Sequence, residues 1–218
     1  MFELAGDLLH RLYDVNGIIQ WGGLLIVCLI IFIETGLFTG FFLPGDSLLV
    51  TAGIFSATGY LNIMHLLLFA SLSAIIGDQL GYYIGLKTGK ILYSRKDSKF
   101  FKHEHLEKAE LFYQRYGAKT IVLARFVPIV RTFAPAVAGA AGMDYLRFVS
   151  YNILGGLLWV FTTVLGGFFL GSLIPDIEKK IHIVIGVVII LSFIPIIVEI
   201  VKNRMKKKDI LTQNPPKN

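Results

Sequence analysis

Apolar residues fill this chain in long blocks, and the interruptions between blocks predict its elements. Leu4, Leu8 and Leu12 recur every four residues while Glu3, Asp7, Arg11 and Asp14 take the opposite side. That spacing predicts a short amphipathic helix over 2–14, lying along an interface. From Ile18 to about Ile33 the chain is apolar, Glu34-Thr35-Gly36 interrupts it, and Leu37 to Leu43 leads into Pro44-Gly45-Asp46. With a carboxylate and glycines in the way, neither piece makes a comfortable span. Followed by Leu48–Ala57, they predict a re-entrant hairpin over about 20–58 that enters and leaves the same face. Irregular backbone at membrane depth survives only where it is buried in protein or lines a wet cavity. Gly59 to Asn62 supply a turn, and a span follows over about 63–86.

The next stretch is polar. Asp97 or Ser98 can cap a helix that ends at Gly117, and Leu106, Ala109, Tyr113 and Tyr116 follow helical spacing, which places it on the membrane surface. The layout then recurs. A second hairpin is expected over about 120–143, an apolar piece interrupted by Arg125, Arg131, Pro128, Pro135 and two glycines. A span over about 147–171 follows it, and another over about 181–201. Residues 209–218, with Pro215-Pro216, read as a disordered cytoplasmic tail. Surface helix, broken hairpin and full span thus occur twice, a likeness of layout rather than of residues.

Composition settles the class. No Asp, Glu, Lys or Arg occurs between Asp46 and Asp78, between Arg147 and Asp176, or between Ile181 and Val198. Runs of about 18 such residues or more suffice to cross a hydrocarbon core, and a soluble fold would interrupt them with a polar face. The net charge of +6 sits in two segments, Lys87 to Lys119 and Lys202 to Lys208. Such crowding fits the positive-inside bias of cytoplasmic loops better than a nucleic-acid groove. It places residues 1–62, where Arg11 is the sole Lys or Arg, on the outer side and the C-terminus in the cytoplasm. The first hairpin then enters from outside and the second from inside. The expected architecture is an all-α membrane protein forming one domain over 1–208. It is an inverted-topology repeat of interfacial helix, re-entrant hairpin and transmembrane helix, plus a C-terminal transmembrane helix, with its site near the midplane. The acidic N-terminus, with no small-residue cleavage site after the apolar run, does not read as a removable signal peptide. Cys28 lies alone in an apolar run and reads as an inert thiol.

The charges inside the broken stretches are the candidate chemistry. An ionisable group at a helix centre in a bilayer costs at least about 2.5–3.5 kcal/mol. Glu34 and Asp46 stand in the first hairpin, Arg125 and Arg131 in the second. Six residues apart, the arginines would lie about 240° apart on an unbroken helix; Pro128 breaks that regularity and can turn both toward one cavity. A guanidinium keeps its charge, and its planar fork suits bidentate binding of phosphate or carboxylate. The functional reading makes Arg125 and Arg131 a phosphate clamp and Glu34 and Asp46 its proton-exchanging acidic partners. The competing reading is that ion pairs merely lock the hairpins together. Pro44, Gly45, Pro128 and Pro135 shape the two hairpins.

Weaker candidates surround this set. Asp78, ahead of Gly81-Tyr82-Tyr83-Ile84-Gly85, reads either as a snorkelling or capping residue or as an accessory on a gating or proton path. Asn152 and Trp159 share a span with Gly155 and Gly156, a pattern of close helix packing. His103-Glu104-His105 lacks the i, i+4 histidine spacing of a zinc protease and reads as a solvated helix face. There is no nucleophile elbow, no P-loop, no paired-cysteine zinc site, and no histidine in the charged hairpins for a lipid-phosphate phosphatase. Neither an enzyme nor a metal or cofactor is expected.

At these residues the sequence resembles the DedA family, also called SNARE-associated or VTT-domain membrane proteins. The likeness is carried by Glu34 with Phe42-Leu43-Pro44-Gly45-Asp46, by Gly77-Asp78 with Gly81-Tyr82-Tyr83-Ile84-Gly85 and Gly89, and by Arg125-Phe126-Val127-Pro128 with Arg131 and Pro135. It continues through Ala138-Gly139, Gly142-Met143, Phe148, Asn152, Gly155 and Trp159, covering about 20–170. The resemblance implies a multi-pass protein of the bacterial inner membrane that moves phospholipids or the undecaprenyl phosphate carrier between leaflets. It further implies a role in envelope integrity and dependence on the proton-motive force. The family's functional acids and arginines match Glu34, Asp46, Arg125 and Arg131. The expected function is a lipid translocase whose partners are membrane lipids and protons, with no nucleic acid; a homo-oligomer is compatible with it. The alternative is a proton-coupled exporter of small cations or drugs.

Overall fold

The computed structural model describes residues 15–37, 43–93, 111 and 115–174. The expected helix over 2–14, the span over 181–201, the basic run 202–208 and the tail lie outside the described residues. So does most of the surface helix, with His103-Glu104-His105.

Among the described residues the fold is helical throughout. The elements are α1 (Val15–Gly36), α2 (Gly45–Ala57), α3 (Ile63–Tyr93), α4 (Lys119–Ala124), α5 (Pro128–Ala140) and α6 (Tyr145–Leu173). Each break has a local cause. Gly23 bends α1 with φ 54° and ψ −143°, a conformation open to glycine but strained for other residues. Pro44 precedes α2, and Pro128 opens α5 at a first-turn position where its missing N–H costs nothing. Asp144 caps α6 by accepting a hydrogen bond from the Arg147 N–H. Pro135 was expected to interrupt its segment, yet it lies inside α5 without ending it. The two long helices also outrun their expected limits, α3 reaching Tyr93 and α6 covering 145–173.

Helices α3 and α6 are long and apolar enough to cross a membrane. At 1.5 Å per residue the 29 residues of α6 rise about 43 Å, more than a hydrocarbon core requires. Their outward faces carry bare apolar side chains such as Leu68, Ile76, Leu154, Leu158 and Phe161. Such a surface suits acyl chains, not water.

Packing couples the segment before each long helix to the other long helix. Helix α2 lies most extensively against α6, and α5 lies against α3; α1 also packs on α3, and α4 on α6. Exchanging the first three helices for the last three leaves this set of contacts unchanged. Glycine makes both crossings close. A Cβ on Gly167 would run into the Val50 carbonyl, and one on Gly53 into the Val164 carbonyl. Across the other pair, Gly85 meets Ala136, Gly89 meets Ala140, and Gly139 meets the Tyr82 carbonyl. Gly85–Gly89 and Gly167–Gly171 therefore serve as matching small-xxx-small seats for α5 and α2. One apolar core joins α1, α2, α3 and α6 around Ile31, Leu49, Ala70 and Val164, and a smaller one stacks Tyr82 on Phe148.

Neighbouring glycines on α6 test this packing. An ideal Cβ on Gly166 meets nothing within 4 Å. Gly166→Ala is expected to leave thermal unfolding in detergent unchanged or to stabilise by up to about 1 kcal/mol through helix propensity. Gly167→Ala is expected to destabilise by about 1–3 kcal/mol through overpacking against Val50. Equal melting temperatures for the two variants would refute the α2–α6 crossing.

Candidate functional site

The helix breaks deliver charge to one interior region. Glu34 stands in the last turn of α1, Asp46 in the first turn of α2, and Arg131 at the fourth position of α5. Arg125 occupies the break between α4 and α5, with φ −63° and ψ −25°. Glu34, Asp78, Arg125 and Arg131 are all buried, at 2, 3, 3 and 8 % exposure.

Both hairpin acids converge on one arginine. The Arg131 Nη1 donates to Asp46 Oδ1 at 2.7 Å, and its Nη2 donates to Glu34 Oε1. The Trp159 indole N–H donates to the same Asp46 oxygen at 2.8 Å, while its ring lies 4.7 Å from the Arg131 guanidinium carbon. Arg131 is therefore held by two carboxylates and an aromatic face. Asp46 is the more open acid, its side chain 19 % exposed. Glu34 is enclosed: its carboxylate lies where a Cβ on residue 45 would stand, so Gly45 is the residue that fits there.

Arg125 turns elsewhere. Its Nη2 faces Asp78 Oδ2 at 2.5 Å, Asn152 Oδ1, and the Ala74 carbonyl at 3.5 Å. Asn152 is itself fixed by donating to the Ile75 carbonyl at 3.0 Å. Gly155 and Gly156 leave the lane along α6 that the arginine side chain occupies. Arg125 and Arg131 are near enough to feel one another's charge, and Asp78 that of Arg131, so the two groups form one electrostatic unit.

The four principal residues expected from sequence thus meet in the interior, but as unequal sets. Arg131 takes both Glu34 and Asp46; Arg125 takes Asp78. Asp78 is neither snorkelling nor capping but a buried ion-pair partner. Asn152 and Trp159, which read as packing residues, also belong to the cluster. Their signal was present in the sequence: seven residues apart, they share one helix face in a span otherwise apolar there. Of the shaping residues, Pro44, Gly45 and Pro128 stand at the breaks, whereas Pro135 packs over Gly81 of α3. Within the cluster, three buried side-chain atoms have no hydrogen-bond partner: Glu34 Oε2 and the Nε of each arginine. Among the described residues no group of His, Cys, Asp and Glu suits a metal ion.

Comparison with known proteins places this arrangement. The VTT domain family matches residues 43–169, a stretch that holds Asp46, Asp78, both arginines, Asn152 and Trp159. Protein DedA of Escherichia coli strain K12 is 44% identical over 181 residues, 82% of each chain. The chain belongs to the DedA family of VTT-domain membrane proteins. An uncharacterized membrane protein of Mycobacterium tuberculosis is 39% identical over 196 residues, 88% of this chain and 86% of that one. Inner membrane protein YqjA of Escherichia coli is 31% identical over 150 residues, 67% of each chain. No solved structure matches this DedA-family chain.

The Arg125–Asp78 pair gives a sharp stability test. Arg125→Met alone strands a buried carboxylate and is expected to destabilise by about 3–5 kcal/mol. Arg125→Met with Asp78→Asn removes both charges and is expected to regain most of that loss. Melting temperatures of the single and double variants in detergent measure the coupling. Additive losses would show that the two side chains do not pair.

Proposed function

We propose that this DedA-family protein is a lipid translocase of the bacterial inner membrane. It carries the phosphate headgroup of undecaprenyl phosphate, or of a phospholipid, between leaflets while the apolar tail stays in the bilayer. The supporting observation is Arg131, a buried guanidinium whose two Nη groups already engage two separate carboxylate oxygens. A phosphate offers two oxygens to the same fork and can replace the carboxylates one for one. The free Nε–H of Arg131 is a further donor for it. Arg125 lies close by and supplies a second positive charge. Proton uptake by Glu34 and Asp46 releases Arg131 to the incoming headgroup, and proton loss returns it, which links transport to the proton-motive force. No covalent step is involved, so the protein is a carrier rather than an enzyme and needs no cofactor.

The architecture is compatible with alternating access. In this reading α1–α2 and α4–α5 are re-entrant hairpins that enter from opposite faces, each with its second helix seated on the other half's span. The exchangeable contacts between halves and the distribution of Lys and Arg support an inverted repeat, a multi-pass chain and a cytoplasmic C-terminus. One observation favours a second reading, a proton-coupled exporter of small cations or drugs: three carboxylates face only two arginines.

The two readings separate in proteoliposomes. Wild-type protein is expected to flip labelled undecaprenyl phosphate or phosphatidylethanolamine under an imposed pH gradient. Arg131→Ala should lower the rate by roughly a hundredfold or more, because a bidentate charged contact is lost. Unimpaired flipping by folded Arg131→Ala would sink the translocase. Cation flux insensitive to lipid phosphate would support the exporter instead.

A further inference from the structure

Trp159 joins the charged cluster through two different faces of one side chain. Its N–H bonds Asp46, and its ring covers the guanidinium that Asp46 also bonds. It comes from α6, whereas Asp46 comes from α2 and Arg131 from α5. One rigid aromatic on a long span thus touches both members of an ion pair formed between the two broken segments. The ring is 2 % exposed and belongs to the apolar core shared by α1, α2, α3 and α6, so it cannot follow either partner far if that partner moves.

We propose that Trp159 is a positioning residue that sets how readily the Asp46–Arg131 pair opens, and hence the pH at which the site releases its arginine. The inference rests on the proposed exchange of Asp46 for phosphate at Arg131. The indole N–H satisfies the ionised carboxylate, so it favours the closed, ion-paired state. When Asp46 takes up a proton and leaves Arg131, the ring face still covers the guanidinium and holds it in place for an incoming anion. Among the described residues the charged groups facing Asp46 are Arg131 from α5, which it pairs with, and Glu34 from α1, which it repels. The Arg125–Asp78 pair stands next to them. Trp159 acts through these groups and exchanges no proton itself.

Phenylalanine at 159 separates the two contacts, since it keeps an aromatic face and loses the N–H. For Trp159→Phe the readout is the pH dependence of labelled undecaprenyl phosphate flipping, normalised to the variant's own maximal rate. Its rate-versus-pH profile should move to higher pH by about one unit, the size expected when an ionised acceptor loses one hydrogen bond. Trp159→Ala, lacking both contacts, should show the same pH displacement and a lower maximal rate. A Trp159→Phe profile superposable on wild type would overturn the inference even if Arg131→Ala is inactive, while an active Arg131→Ala would overturn the exchange scheme itself.

A second readout does not depend on transport. Trp21 is the other tryptophan of the chain, so Trp21→Phe leaves Trp159 as the single tryptophan, excited selectively at wavelengths where tyrosine does not absorb. Its fluorescence in detergent is expected to titrate with one midpoint, to respond to millimolar inorganic phosphate, and to lose both responses in Trp21→Phe with Asp46→Asn. Emission indifferent to both pH and phosphate would refute a Trp159 contact that senses the pair.

Discussion

Glu34, Asp46, Asp78, Arg125 and Arg131 sit inside a bundle whose outer face is made for lipid, and they can do so only together. Each alone would carry the cost of a bare charge in a medium of low polarity. Two of them are also badly placed for their own helices. Glu34 lies at the C-terminal, partially negative end of α1, and Arg131 lies near the N-terminal, partially positive end of α5. Neither is stabilised by the helix that carries it. They are stabilised by each other, against two helix dipoles, whereas Asp46 in the first turn of α2 and Arg125 at the C-terminal end of α4 sit at helix ends of favourable sign. The cluster is therefore an interaction between segments rather than a set of caps, and the fold has to bring α1, α2 and α5 to one place to satisfy it.

The glycines follow from that demand. Gly77, Gly81, Gly85 and Gly89 recur every four residues along α3, and successive members receive the end of α1, Pro135, and then the backbone of α5. Gly81 meets both Pro135 and the Thr35–Gly36 carbonyls. Without side chains on that face, the helix ends bearing Glu34 and Arg131 can approach each other across α3. Gly155 and Gly156 do the same service for Arg125 on α6. Close backbone approach is what turns five distant sequence positions into a connected group of charges.

Much of this was legible in the sequence because its cause was local. Pro44-Gly45 and Pro128 mark real helix breaks, since proline and glycine act on the backbone wherever they stand. The charges in the apolar blocks were conspicuous because desolvation makes them costly in any fold. Pairing was not legible. Arg125 chooses Asp78 over Glu34 because of how α3 and α6 flank the break, which depends on packing far along the chain. Trp159 and Asn152 were hidden for another reason: an amphipathic side chain on an apolar helix looks the same whether its polar end meets a charge or only fills space. Pro135 misled in the opposite direction, because a proline within a supported helix can be tolerated when its ring packs on a glycine such as Gly81.

The distribution of charge between the halves carries the argument furthest. Glu34, Asp46 and Asp78 all belong to the helices α1–α3, and Arg125 and Arg131 to the segment from α4 onward. Each charged contact in the cluster therefore crosses from one half to the other, and neither half can neutralise itself. With all five groups ionised the acids exceed the arginines by one, so a proton or an additional cationic partner completes the balance. In the proposed translocase that surplus makes the observed pairing exchangeable. Under that proposal, adding a proton to an acid, or a phosphate to an arginine, alters which groups pair without leaving the region bare of partners. A site built from one half alone would hold its charges at fixed neighbours. Splitting acids and bases between two halves, joined across smooth glycine crossings, ties a change in pairing directly to a change in how those halves meet.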